Sequence, residues 1–146
     1  MNILNLTRNI FLLVAALLLL ASCSRESQTG PAEVKFDRDT CVHCSMAVSD
    51  RHYAAQVRGG PKHQVFKFDD LGCAISWLNK QSWGNDPATE IWVAHFRDGI
   101  WLNARTAHYL GGKTTPMAYG FGATTDALPG SISFEEARKQ IMAKNN

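Results

Sequence analysis

The stretch Cys41-Val42-His43-Cys44-Ser45-Met46 sets two thiols three positions apart and places a thioether two positions further on. Thiolate and thioether are soft ligands, imidazole is intermediate and carboxylate oxygen is hard. A sulfur set of this kind therefore selects Cu(I) over the hard cations, and Met has little use for Zn(II). Cu(I) makes few geometric demands, so a loop can take it up and release it by stepwise ligand exchange. A thioether also cannot be lost to a disulfide in an oxidising compartment. Met117, in Thr114-Thr115-Pro116-Met117, is the second thioether candidate: it lies in a loop segment away from any periodic apolar stripe. His43, His52 and His108 are candidates for a further ligand, whereas Met142 reads as helix packing.

Three other chemistries compete for the same pair of cysteines. Structural zinc would ask for a second CxxC or a paired His spacing, and the five histidines are spread out. A thioredoxin-like redox pair belongs at a strand-to-helix turn, whereas this motif follows a polar stretch and precedes a strand. A resting disulfide across so short a loop would stabilise little. Each of these leaves Met46 without a role. The reading of the residues is thus a Cu(I) carrier rather than an enzyme, with a periplasmic thiol–disulfide oxidoreductase using Cys41 and Cys44 as the alternative.

The N-terminus sets the compartment. Residues 1–22 carry one charge, Arg8, and an apolar run from Ile10 to Ala21, the length of a signal-peptide core and short for a membrane span. The run ends in Leu20-Ala21-Ser22-Cys23, similar to the lipobox of bacterial lipoproteins, in which the Cys is lipidated and becomes the first mature residue. Cys23 is then an anchor and not a ligand, and the body sits outside the cytoplasmic membrane, facing the periplasm. A polar segment over 23–35 reads as a flexible tether, and 36–146 as the folded part. With Arg8 set aside, 14 Lys and Arg face 13 Asp and Glu, a balance that suggests neither nucleic acid nor acidic lipid as a partner. Cys41, Cys44 and Cys73 remain, an odd set that argues against a disulfide framework.

The elements that must position these residues follow from pattern. Tyr53–Val57 and His63–Phe68 read as strands of a hairpin about the turn Arg58-Gly59-Gly60-Pro61. Asp69 or Asp70 caps a helix over 71–80, with Leu71, Ala74, Ile75 and Leu78 on one face. Cys73 and Trp77 stand i, i+4 on a second face, which makes Cys73 a core-packing residue. Glu90–Phe96 is a strand, Asp98-Gly99 a turn, and Ile100–Leu102 begins its partner. Asn103–Leu110 is strand or turn, 114–122 a loop leading into a strand, and Ser133 with Glu136 a capping box for the last helix. The order predicts an α+β fold of two small ββαβ-type modules, about 36–97 and 98–146.

Taken together, these motifs resemble the NosL family, copper-binding lipoproteins of nitrous oxide reductase assembly. The resemblance rests on the lipobox at Cys23, the CxxCxM motif at Cys41, Cys44 and Met46, and the Phe68-Asp69-Asp70 step. Asn103-Ala104-Arg105-Thr106-Ala107-His108-Tyr109 and the later Pro116-Met117 segment extend it along the chain. Asn103 stands where the family often has Asp, and Ala118 where it often has Gly. The resemblance implies a fold like that of the organomercurial lyase MerB and one Cu(I) per protein, with Cys41, Cys44, Met46 and Met117 at the metal. It also implies delivery to nitrous oxide reductase with the help of a membrane ABC-type maturation complex.

Overall fold

The computed structural model describes Phe11 and residues 27–145; the leader and the lipidation candidate Cys23 lie outside the described residues. Residues 27–145 form a small α+β fold: a four-stranded antiparallel sheet, a two-stranded ribbon and two helices. Strands β1 (Ala55–Gly59) and β2 (Gln64–Phe68) make the expected hairpin. Strand β1 runs two residues later than the pattern suggested. Arg58 and Gly59 still pair with Val65 and Gln64, and the reversal falls at Gly60, whose φ of 77° suits glycine.

Helix α1 (Leu71–Leu78) follows at once, and Asp70 is its cap, with a side-chain oxygen accepting from the Gly72 amide at 2.9 Å. Strand β3 (Glu90–Ala94) pairs with the far side of β1, and β4 (Trp101–Asn103) pairs with β3, giving the order β2-β1-β3-β4. Strand β1 is central, and all five of its residues are buried. Val57 and Phe68 of the hairpin and Ala74, Ile75 and Leu78 of α1 belong to one hydrophobic core.

The ambiguous stretch from Asn103 resolves into a turn, in which the Asn103 side chain accepts from the Arg105 amide, followed by β5 (His108–Leu110). Strand β6 (Gly122–Thr124) pairs with β5, and α2 (Phe134–Lys144) closes the chain under a Ser133 cap that accepts from the Glu136 amide. The ribbon joins the end of β3 through a bridge between His95 and Ala123.

Two expectations meet a different arrangement. Strand β4, expected to open the second module, pairs with β3 in the first sheet, so the β3–β4 hairpin lies across the expected division near residue 97. The expected tether is fastened from Gly30 onward. Gln56 exchanges hydrogen bonds with the Ala32 amide and carbonyl at 2.8 and 3.0 Å, Glu90 accepts from the Gly30 amide, and Arg58 donates to the Gly30 carbonyl. Polar side chains of β1 and β3 hold the segment by its backbone, and Ala32 and Val34 add packing against the body.

Candidate metal centre

Residues 41–46 form a closed loop. The Cys41 amide donates to the Met46 carbonyl at 2.8 Å, the Ser45 amide donates to the Cys41 carbonyl at 2.9 Å, and Thr40 bridges Ala47. Ser45 takes a φ of 65° to make the reversal. The Val42 amide donates to the Lys67 carbonyl, and Lys67 is ion-paired with Asp39 at 2.7 Å, so the loop is pinned to the end of β2.

That end of β2 runs directly into the first turn of α1, which explains what the loop meets there. The ligating atoms of Cys41, Cys44, Asp69 and Cys73 all lie within 4.8 Å of one another, a cluster that could hold a metal ion. Cys41 and Cys73 are 0% exposed, and Cys44 alone reaches the surface in part. Asp69 is 1% exposed. Its two oxygens accept from the Cys44 thiol at 3.5 and 3.4 Å, and it belongs to no ion pair among the described residues. A carboxylate out of water with no cation beside it is costly, and a bound metal is one of the two usual remedies.

The thiols are not equivalent. A hydrogen bond from Cys73 to the Cys41 sulfur is the largest influence on both: it draws Cys41 from 9.0 down to about 6 and pushes Cys73 up. Burial is the main cause of the rise of Cys44 to about 11. Cys41 is thus the thiol of the cluster that ionises most readily, and Cys73 beside it is the one that holds its proton. Three sulfurs and one carboxylate oxygen suit a soft or borderline cation and not a hard one.

The expected site residues fall in different places. Cys41 and Cys44 come together as the motif suggests. Met46 is on the same loop and 53% exposed. Met117 is half-buried against the core, and its amide donates to the Asp70 carboxylate at 3.2 Å; Thr115 donates to the same oxygen at 2.6 Å. The Met117 loop is thus fastened to the helix turn that carries Cys73. None of His43, His52 and His108 belongs to the four-residue cluster; His52 lies 3.7 Å from Asp50.

Cys73, expected as packing, does pack, and it also supplies the third sulfur. Asp69, expected only as a possible cap, supplies the oxygen. The odd cysteine count and the position of both residues at a helix start were the available signals.

No protein-family model and no curated protein matches this chain.

Proposed function

We propose that the protein is a membrane-tethered Cu(I) chaperone and not an enzyme. The observation that carries this reading is the convergence of three cysteine sulfurs on a buried carboxylate that lacks a cation. Cys41, Cys44 and Cys73 hold one Cu(I), with Asp69 beside it. Exposure rises from Cys41 and Cys73 through Cys44 to Met46, so a partner's soft ligand approaches from the Met46 side, where Val42 is also 45% exposed. The lipobox-like ending at Cys23 supports a lipid anchor facing the periplasm. The resemblance to NosL proteins supports nitrous oxide reductase, served through an ABC-type membrane complex, as the recipient.

The thiol–disulfide oxidoreductase alternative is disfavoured by the order of the thiols. The low-pKa Cys41 is shut off from solvent, while the accessible Cys44 stays protonated up to about 11. An attacking cysteine needs to be both thiolate and reachable. Asp69 favours one second reading, a Zn(II) site, because a carboxylate is a normal zinc ligand.

Anaerobic titration of the reduced protein with Cu(I) and, in parallel, Zn(II), each against a competing chelator, separates these readings. The expected result is one tightly held Cu(I) and weak zinc binding, with Cys73→Ser weakening Cu(I) by at least about tenfold, as loss of a strong metal contact does. Preference for zinc, or no tight metal binding, would overturn the copper reading.

A further inference from the structure

On the sheet face covered by residues 30–34, Arg58 is 4% exposed. Its Nε donates to the Gly30 carbonyl at 3.1 Å, but its Nη2 is buried with no hydrogen-bond partner. Glu90 sits opposite Arg58 in the β1–β3 register and would be the natural counter-ion. Its oxygens are committed elsewhere. Oε2 accepts from the Gly30 amide at 2.7 Å and from the Trp92 indole at 2.9 Å, and Oε1 lies 3.8 Å from His63. Arg58 therefore belongs to no ion pair among the described residues. A guanidinium always carries its charge, so leaving it buried and unpaired is a standing cost.

Arg58 also lines a cleft of about 410 Å³, together with Lys62, His63, Gln64, Val65 and Lys67. Lys67 is neutralised by Asp39, whereas Lys62 is in no ion pair among the described residues. Ser27 and Gln28 also line the cleft. The cleft shares no residue with the cysteine cluster.

We propose that this cleft is a binding site for a phosphate-type oxyanion, with Arg58 and Lys62 as its cationic contacts and Gln64 as a neutral donor. A permanently charged guanidinium in the wall and the Lys62 ammonium beside it suit a phosphate oxyanion, and the volume admits a phosphodiester as readily as free phosphate. Near-zero net charge hides this cation pair, because the acidic residues that balance it in the sum do not line the cleft. Position bears on the source. Ser27 is four residues beyond Cys23, so the chain can span at most about 14 Å between them. If Cys23 is the lipid anchor, the cleft lies within reach of headgroups of the same membrane.

The full-length protein in neutral detergent micelles tests this by calorimetric titration with inorganic phosphate, with short-chain phosphatidylglycerol and with short-chain phosphatidylcholine as a zwitterionic control. The expected result is saturable binding of at least one of the first two, accompanied by a shift of the Arg58 Nε–H resonance. Lys62→Gln and Arg58→Gln should each weaken it by about fivefold or more, the scale of a lost charge-assisted hydrogen bond. Lys62 is exposed, so its variant reports on the cleft even if Arg58→Gln perturbs the fold. Phosphate binding without tighter lipid binding identifies a soluble ligand, and tighter phosphatidylglycerol binding identifies a headgroup. Absence of saturable binding, or equal binding by both variants, would overturn the proposal. Cu(I) affinity is read on the same samples, so failure here leaves the copper reading independently judged.

Discussion

Cys41 and Cys73 show how two identical side chains take opposite roles through one hydrogen bond. The Cys73 thiol donates, and Cys41 becomes the acceptor anion near pH 6. A thiol whose pKa is depressed by folding contributes stability that is complete above its ordinary value of 9.0 and is lost as pH falls through about 6. Cys44, raised to about 11, acts with the opposite sign: above 9.0 the unfolded chain ionises first and stability falls. Urea unfolding of the reduced apo protein should therefore show stability climbing from pH 6 towards 9 and turning down beyond it. Cys41→Ser should flatten the climb. In Cys73→Ala, thiolate absorbance should show the Cys41 midpoint moving up from about 6.

The first turn of α1 is the element on which the two candidate sulfur segments converge. Asp69 and Cys73 face the motif loop, while Asp70 caps the helix through one oxygen and holds Thr115 and the Met117 amide through the other. Tyr119 lies across the same turn, and its hydroxyl meets Ser76 at 3.2 Å and Asn145 at 3.0 Å. Gly72 permits this approach: a Cβ there would stand 1.9 Å from the Tyr119 ring. Ala is the better helix former by about 1 kcal/mol. The clash outweighs that gain, and Gly72→Ala should destabilise the protein by about 2 kcal/mol through forced displacement of the ring. Chemical denaturation measures the loss, and amide exchange at Met117 should quicken alongside it.

At the scale of the molecule, the cluster ties two distant parts of the chain across the β1–β2 hairpin: residues 41–44 on one side and 69–73 on the other. A ligand that binds only when both are in place stabilises the folded state, by about 4 kcal/mol at a free concentration a thousand times its Kd. Anaerobic denaturation with buffered Cu(I) should show an increment of this order, reversed by a Cu(I) chelator. Cys44→Ala should remove most of it, read against that variant's own metal-free stability, which falls because the buried Asp69 loses the thiol that donates to it. An equal increment in that variant would place the metal away from the cluster.

Local pattern carried the β1–β2 hairpin, the Asp70 and Ser133 caps, the apolar face of α1 and the pairing of Cys41 with Cys44, because each is encoded within a few residues. It also carried the softness of the candidate sulfur ligands, which is a property of residue type. The remaining two members of the cluster were decided by tertiary structure. Cys73 at i, i+4 from Trp77 is indistinguishable from core packing until the sheet brings Cys41 beside it from 32 residues away. Asp69 and Asp70 look interchangeable as caps. The path of the chain from β2 into α1 turns one carboxylate towards the thiols and the other towards Met117. The fastening of residues 30–34 and the unpaired charge of Arg58 belong to the same class. Both depend on which long-range polar partners are already taken, and no local spacing records that.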